Sequence, residues 1–483
     1  MQRLFRNKFF SSKISVILLA LLFALLIFVR VYNIDVTARF TQDESSDLVR
    51  MHEYYKSHKL TLVGPISNDR TKVFSSLTYY MLMPFAAVGS FSPISPAYGT
   101  AFWGFLTALL LLLTTQKVNK KLLPFAVIIT LFWYPLLQTS RWAWNPHLVV
   151  FWISLGIWFY LRKTLFCYFL SGIFFGLAFH SHYIALIATG IFVLLGSIIM
   201  LVKKEFKKPA ALLLGYILPF VPFVLFDLRH PPGLFITRYL TEGNIANTQS
   251  TTLSQAIPVI LENIKLFLFY LTQNDFLAAT LGITLLIILW IDVKINRKYL
   301  LFALPVVGQL ITGAFLDSLQ TRYLLPAVIF LFVWLIFPRK SIGALFSKAA
   351  LLILAIGSLL SFYPQLHFTE VQPDIRTIIK ADEVIIDLIN SRKIQNANIA
   401  ALGSEATDTF AINLRDALQI HDVNFLAVSQ YDVSEQLLVL STSDEKSLRR
   451  DQSFAMQQFK NARLGGLYPL TDSDWKIYWF KKI

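Results

Sequence analysis

Cysteine, acidic residues and charge in general are scarce in this sequence. Of its 483 residues, one is a cysteine, 29 are aspartate or glutamate, and 15% are charged. The single cysteine, Cys167, excludes an intramolecular disulfide and a thiolate metal site, and it leaves the redox compartment open. The sequence also shows no internal repeat and no low-complexity tract.

Hydrophobic residues, by contrast, make up 55% of the chain, and the mean hydropathy is +0.56. These values exclude a soluble globular domain of this length and indicate a polytopic membrane protein. The formal net charge is +15 and the isoelectric point is about 9.6. Because the basic residues form short clusters between apolar runs, they are typical of topology signals rather than of nucleic-acid binding.

The first apolar run, residues 14–34, is long enough to cross a bilayer, which takes about 20 apolar residues. It follows a basic N-terminus without a small-residue cleavage site, so we interpret it as a retained signal anchor. Further spans are predicted at 97–115, 122–138, 146–161, 165–180, 183–202, 210–227, 277–293, 299–316, 323–338 and 348–364. Two more runs, 74–91 and 257–272, contain polar residues or proline and are either spans or interfacial helices.

The positive-inside rule favours about 11 spans, with 13 as the alternative. With a cytoplasmic N-terminus, eleven spans place these basic clusters inside: 3–13, 117–121, 162–163, 203–208, 294–298 and 339–348. Thirteen spans would turn the second, third and fourth of those clusters outward. We therefore predict an integral protein of the cell (plasma) membrane, with its N-terminus in the cytoplasm.

The same count divides the chain into a transmembrane domain, 1–365, and an extracytoplasmic domain, 366–483. Within the first, residues 35–96 form a long outer loop, and the spacing of its apolar residues at 48–55 predicts a helix on the membrane surface. Beyond residue 366 the hydropathy falls. Helix-like segments at 374–391, 407–422 and 451–461 then alternate with strand-like segments at 397–403, 436–442 and 475–480, which predicts a small α/β domain.

Polar residues near the span ends fall on the outer face in five loops. In chain order they are Asp43 and Glu44; Arg141, Trp142, Trp144, Asn145 and His147; His180 and His182; Asp227, Arg229 and His230; and Asp317, Gln320, Arg322 and Tyr323. Several of these residues also have an explanation other than sugar transfer. The arginines could contact lipid phosphate, the tryptophans could belong to an interfacial belt, and the two histidines at 180 and 182 have a spacing suited to a metal.

Carboxylates and cations together at a membrane surface suit the transfer of a sugar from a lipid phosphate. Arginine, lysine or histidine would stabilise the charge that develops on the leaving phosphate. An acceptor hydroxyl needs a base, and a carboxylate beside another carboxylate near apolar surface is expected to have a raised pKa that suits this role. Asp43, with Glu44 next to it, is the candidate.

The chain resembles the membrane glycosyltransferases of the GT-C fold, in the superfamily of protein O-mannosyltransferases and aminoarabinose transferases (glycosyltransferase family 39-like). The resemblance covers residues 1 to about 365. The acidic pair in FTQDE, residues 40–44, is its most specific feature. The other motifs, which count mainly by order and spacing, are LLQTSRWAWNPHL at 136–148, FHSHY at 179–183, LFDLRH at 225–230 and TRYLLP at 321–326.

That resemblance implies an inverting transfer from a polyprenyl-phosphate-linked sugar on the outer face, with no nucleotide-sugar site. Asp43 would be the base and Glu44 its companion, while the donor phosphate would be bound by Arg141, Arg229 and Arg322. Substrate contacts would come from Trp144, Asn145, His147, His180, His182, His230 and Tyr323. No cofactor is certain from the resemblance. A divalent metal stays open, since Asn145 stands where related oligosaccharyltransferases carry a metal-binding acid. The acceptor is a lipid, a glycan or a protein.

Two other functions compete with sugar transfer as explanations of the sequence. A transporter or flippase of lipid-linked sugars would have charged groups at mid-membrane, whereas the predicted spans are nearly free of ionisable residues. A non-catalytic protein of cell-envelope assembly would depend on the C-terminal domain alone. Membrane lipids are partners in all three cases, and nucleic acid in none.

Overall fold

The computed structural model describes residues 13–66, 73–231, 233–235, 253–295, 297–313, 320–369, 371–391 and 394–483. The basic N-terminus and Asp317 lie outside these ranges. Contacts between residues divide the chain into two compact units. Unit 1 comprises residues 1–32, 62–78 and 100–366, and unit 2 comprises residues 33–61, 79–99 and 367–483.

Helices dominate the described part of the chain. In order, the α-helices are α1 Lys13–Val31, α2 Ile34–Thr37, α3 Gln42–Ser57, α4 Leu77–Val88, α5 Ser95–Asn119, α6 Leu123–Phe132, α7 Tyr134–Arg141, α8 Val149–Tyr160, α9 Leu165–Ser181, α10 Ala185–Val202, α11 Lys207–Ile217, α12 Val221–Arg229, α13 Leu253–Thr272, α14 Asp275–Lys294, α15 Leu300–Thr312, α16 Leu325–Ile336, α17 Ser341–His367, α18 Ile375–Asn390, α19 Ile412–Ile420, α20 Glu445–Leu448 and α21 Phe454–Gln457. The strands are β1 Val63–Ile66, β2 Val73–Ser75, β3 Ala397–Ala401, β4 Gln436–Ser441, β5 Arg463–Pro469 and β6 Lys476–Lys481.

Several of the helices are long and apolar enough to cross a membrane. In the described ranges there are five such segments: Ser95–Phe132, Ala185–Val202, Lys207–Arg229, Asp275–Lys294 and Ser341–His367. Shorter apolar helices occur at Val16–Val31, Leu77–Val88, Leu165–Ser181 and Thr321–Ile336. The arrangement of eleven spans stays a prediction.

The core of unit 1 is built around α16. All of its residues, from Leu325 to Ile336, are buried. A helix that is apolar on every side is stable only when neighbours enclose it, and α8, α10 and α15 pack against this one. At the end of α16 the buried side chains of Arg339 and Asp292 form an ion pair of 2.7 Å, and the Trp334 indole donates to the same carboxylate at 2.8 Å.

Glycines bring α9 and α11 unusually close together in unit 1. A Cβ on Gly172 would lie 2.2 Å from the carbonyl oxygen of Leu212, and a Cβ on Gly215 would lie 2.0 Å from that of Phe169. Small residues at four-residue spacing allow such backbone contact between membrane helices, and Gly176 continues the pattern. The tight packing fixes the end of α9, where His180 lies.

Unit 2 contains a four-stranded sheet in the order β3-β4-β6-β5. Strands β3 and β4 are parallel, and the remaining pairs are antiparallel. Strands β3, β4 and β6 and helices α18, α19 and α21 lie in the predicted segments, whereas α20 and β5 were not predicted. The interior is apolar and includes Tyr431, Phe459 and Phe480.

Helix α3, predicted from the sequence, packs against α19 in the same unit. The Asn413 amide donates to the carbonyl oxygen of Phe40 at 3.0 Å, and the Ser45 hydroxyl donates to the Asp416 carboxylate. Residues 33–61, which precede the first described strand, are therefore part of the same compact unit as residues 367–483.

Candidate active site

The acidic pair lies in the first turn of α3, directly after Thr41. Both the backbone N–H and the hydroxyl of Thr41 donate to one oxygen of Glu44, at 2.8 and 2.6 Å. This is one half of a capping box, in which a glutamate three residues into the helix binds the residue before it. Glu44 thus stabilises the start of the helix, and the half-buried Asp43 takes no part in that cap.

Asp47, which the sequence analysis missed, lies one turn further along the same helix. Its carboxylate is buried and accepts a hydrogen bond of 2.6 Å from the Tyr79 hydroxyl. Burial raises the pKa of Asp47 to about 7, while the Tyr79 hydrogen bond and the charge of Arg50 oppose the rise. Because residues four apart share a helix face, the spacing from Asp43 could have identified it.

The carboxylate of Asp416, which lies in α19, also contacts α3. Burial raises the pKa of Asp416 to about 6, and the hydrogen bond from Ser45 together with the charge of Arg50 acts in the opposite direction. Two carboxylates on and beside this helix, Asp47 and Asp416, therefore titrate near neutral pH. Such perturbed groups cluster at functional sites.

In unit 1, Arg322 lies against aromatic rings. Its guanidinium carbon is 4.8 Å from the ring centroid of Trp144 and 5.0 Å from that of Tyr323. Trp144 in turn stacks on Trp142 with a centroid distance of 4.5 Å. The Arg322 Nε is buried and has no hydrogen-bond partner among the described residues. Aromatic faces favour a cation at this distance without using its N–H donors.

Two more residues of the WAWNPH motif support this cluster. The His147 ring packs edge-on against both tryptophans, and its Nδ1 is 2.9 Å from the carbonyl oxygen of Trp142. Asn145 donates from its amide to the carbonyl oxygen of Ser181 at 2.8 Å. These contacts join the motif to the end of α9.

The two histidines at the end of α9 have different surroundings. His182 lies 5.7 Å from the Tyr323 ring and stacks on Tyr183 at 4.5 Å. His180 instead contacts the Ser75 hydroxyl at 3.0 Å and the carbonyl oxygen of Pro219 at 2.7 Å, through its two nitrogens. The described residues contain no group of three histidine, cysteine or acidic side chains placed to hold a metal ion.

The other two candidate arginines, Arg141 and Arg229, lie at the ends of other helices of unit 1. Arg141 is buried and donates to the carbonyl oxygens of Val29 and Tyr32 at 2.9 and 2.6 Å, at the end of α1. Arg229 is exposed at the end of α12, followed by the exposed His230. Asp227, in the same helix as Arg229, accepts hydrogen bonds from the backbone N–H groups of Leu234 and Phe235. These two bonds hold the chain in a turn after the helix.

The structure therefore joins Arg322, Trp144, Asn145, His147, His182 and Tyr323 through a continuous set of contacts. His180 belongs to a neighbouring apolar group, where it stacks on Phe223 at 4.4 Å. The space lined by His180, Phe223 and β2 is only about 10 Å³. A cavity of that size holds one water at most, so a sugar could contact His180 only after this apolar group moves.

Comparison with protein-family models finds no match, and comparison with curated proteins finds none either. Solved structures do match. ArnT from Cupriavidus metallidurans in the apo state is similar with a TM-score of 0.57 and 9% sequence identity, over 98% of this chain and 99% of that chain. The same protein bound to undecaprenyl phosphate gives a TM-score of 0.56 and 10% identity, over 96% and 98%.

These likenesses confirm the fold that the sequence motifs predicted. ArnT is an aminoarabinose transferase of the GT-C fold, and the likeness extends over nearly the whole chain, beyond the 1–365 region in which the motifs lie. Together with the long apolar helices, it identifies an integral membrane protein that has the ArnT-like GT-C fold.

Proposed function

We propose that this protein is a glycosyltransferase that moves a sugar from a polyprenyl-phosphate carrier to an acceptor hydroxyl at the outer face of the membrane. The shared fold supports the proposal, because one of the similar ArnT structures is bound to undecaprenyl phosphate. A sugar carried on such a lipid is the donor, and the acceptor is a lipid, a glycan or a protein.

The observation that carries the proposal is the environment of Arg322. A buried N–H group without a hydrogen-bond partner is rare in native proteins and calls for an explanation. A phosphate oxygen would supply one, because a charge-assisted hydrogen bond to phosphate is among the strongest a guanidinium can form. Trp144 and Tyr323 contact the guanidinium group of Arg322 through their ring faces, so the Nε–H donor of Arg322 stays available for a phosphate oxygen.

In the proposed reaction Asp43 accepts the proton of the acceptor hydroxyl. The hydroxyl oxygen attacks the anomeric carbon, the bond from that carbon to the phosphate oxygen breaks, and polyprenyl phosphate leaves with the bonding electrons. Arg322 stabilises the charge that grows on the phosphate. Attack opposite the leaving group inverts the configuration at the anomeric carbon.

The remaining candidates take supporting roles in this proposal. Glu44 positions Asp43 through the cap that it forms with Thr41. Trp144, His182 and Tyr323 provide surface against which the donor lies, while Asn145 and His147 hold the motif in place. Arg229 and His230, both exposed, are further candidates for the phosphate and the substrate. His180 would contact the substrate only after its hydrogen bonds to Ser75 and Pro219 break. None of the proposed steps uses a metal ion.

The direct test is a search for product with purified protein. It is incubated with a panel of polyprenyl-phosphate sugars and with lipid, glycan and peptide acceptors, and products are identified by mass. The proposal expects a sugar-bearing product with one donor class, and release of polyprenyl phosphate in equal amount. Translocation of an intact lipid-linked sugar across a vesicle membrane, without product, would support a flippase instead.

A further inference from the structure

We propose that the C-terminal residues of unit 2 carry a second binding site, for a saccharide, in a cleft at one end of the sheet. The cleft has a volume of about 750 Å³, which is within the range of ligand pockets, about 300–1,000 Å³. It is lined by residues at the start of α18, by Glu405 and Thr442, and by the turn between β5 and β6.

The position of the cleft follows from the topology of the sheet. Strands β3 and β4 run parallel, and Glu405 and Thr442 come after their carboxyl ends. Lys476 begins β6 and pairs with Ser441, the last residue of β4, so the β5–β6 turn lies at the same end. Loops beyond the carboxyl ends of parallel strands are where open α/β sheets bind ligands.

The charges in the cleft are nearly balanced. Its lining carboxylates are Asp374, Glu405, Asp472 and Asp474, and its cations are Arg376, Lys380 and Lys476. Two of the cations are already paired, Arg376 with Asp35 at 2.6 Å and Lys380 with Asp472 at 3.9 Å. A polyanion needs an excess of free positive charge, which this lining lacks. The carboxylates also do not converge into a metal-binding group among the described residues.

The groups that remain available include both hydrogen-bond donors and acceptors. The side chains of Lys476, Asp474 and Thr442 line the cleft and make no hydrogen bond or ion pair within the described ranges. An ammonium only donates, a carboxylate only accepts, and a hydroxyl does both. A saccharide presents many hydroxyls that each donate and accept, so it matches this mixture better than an anion, a cation or an apolar ligand.

Trp475 supports the turn that lines one side of the cleft. The residue is 6% exposed, and its carbonyl oxygen accepts a hydrogen bond of 3.0 Å from the Leu470 N–H. The buried side chain and this hydrogen bond fix the turn between β5 and β6, so the neighbouring Asp474 and Lys476 are held at the edge of the cleft. Polar groups that are positioned before a ligand arrives bind it at a lower entropic cost.

The test uses full-length protein in detergent and a panel of soluble di- to tetrasaccharides of hexose, N-acetylhexosamine and hexuronic acid units. Binding is followed by saturation-transfer NMR and by titration. At least one saccharide class is expected to bind, and Lys476→Ala and Asp474→Asn are each expected to weaken it about tenfold or more. Because neither side chain has a partner among the described residues, both variants should keep the wild-type unfolding temperature. Thr442→Val is a third variant that leaves charge unchanged.

Matched controls are Lys481→Ala, at the other end of β6, and Glu435→Gln, which precedes β4; both are exposed and outside the cleft. Three outcomes would overturn the proposal: no saccharide binds, the control variants weaken binding as much as the cleft variants, or only inorganic phosphate or Ca²⁺ binds. The proposed site is independent of sugar transfer, since its readout is binding without a lipid-linked donor. Failure of one proposal therefore leaves the other standing.

Discussion

The guanidinium carbon of Arg322 lies 4.8 Å from the ring centroid of Trp144, and the two residues are 178 positions apart in the sequence. A cation held over an indole is oriented without using its hydrogen-bond donors. The same residue has a buried Nε with no partner in the described part of the chain. Arg322 is therefore the arginine that we expect to contact the donor phosphate.

Replacing Arg322 with alanine should weaken use of a polyprenyl-phosphate donor by roughly tenfold to a hundredfold, the worth of one charge-assisted hydrogen bond. Lysine should rescue only in part, because it lacks the planar fork of donors. The measurement is the donor concentration dependence of transfer. Arg162→Ala is the matched control, since that guanidinium lies 4.3 Å from the Trp158 ring on the side predicted to be cytoplasmic. Normal donor dependence in Arg322→Ala would remove the residue from the phosphate site.

Arg141 is expected to matter for stability. Its removal leaves the carbonyl oxygens of Val29 and Tyr32 without this buried donor, and each orphaned group costs about 1–3 kcal/mol. Arg141→Ala should therefore lower the thermal unfolding temperature in detergent, whereas Arg229→Ala, at an exposed position, should change the free energy of unfolding by no more than about 0.5 kcal/mol. An Arg141→Ala protein of normal stability with lost donor binding would instead assign Arg141 to the phosphate.

The free energy of unfolding should depend on pH because of the Asp47 carboxyl group. Burial raises the pKa of Asp47 to about 7, from its ordinary value of 3.8. Between about pH 4 and pH 7 the folded protein holds a proton on this carboxyl that the unfolded chain releases, so its contribution to stability falls as the pH rises through that window. Asp47→Asn stays neutral and can still accept from Tyr79. Relative to wild type, the variant should gain stability from pH 4 to 7 and level off above.

Thermal unfolding across this pH range measures the difference. Glu53→Gln, on the same helix and exposed, is the control and should follow the wild-type curve. Parallel curves for wild type and Asp47→Asn would contradict the assignment of the raised pKa to this residue.

Topology can be checked by cysteine labelling after replacement of Cys167. A membrane-impermeant maleimide should label Lys460→Cys in intact cells but label Lys120→Cys only after permeabilisation, because the basic clusters are predicted to be cytoplasmic. Both positions are exposed in the structure. Outward labelling at position 120 would reject the eleven-span arrangement and favour thirteen.

Local patterns in the sequence predicted many of the helices and strands. The apolar spacing at 48–55 predicted α3, and alternating segments predicted β3, β4 and β6. Strand β5 was missed because Gly465 and Gly466 interrupt its pattern, and the ladder has an irregularity at the same place. Glycine weakens a strand by itself, so only pairing with β6 reveals it.

Contacts between distant residues could not be predicted in this way. The sequence places Arg339 in a basic cluster that is typical of a topology signal, yet its side chain forms a buried ion pair with Asp292, 47 residues earlier. Similarly, the five outer loops predicted a shared site, but only the packing of the helices shows that Arg322 contacts Trp144 while Arg141 binds backbone. Residue type and span position do not distinguish an arginine that binds backbone carbonyl groups from one that is held over aromatic rings.

We propose that Asp43 is the base in sugar transfer, and single-turnover kinetics test this role most directly. Glu44→Gln is the companion variant; it should cost less, since glutamine can still accept from Thr41. Asp43→Asn keeps the shape of the side chain but loses its basicity, so a folded variant saturated with donor should transfer about 100-fold to 10,000-fold more slowly while binding donor normally. A single-turnover rate close to wild type, with donor binding intact, would contradict the account.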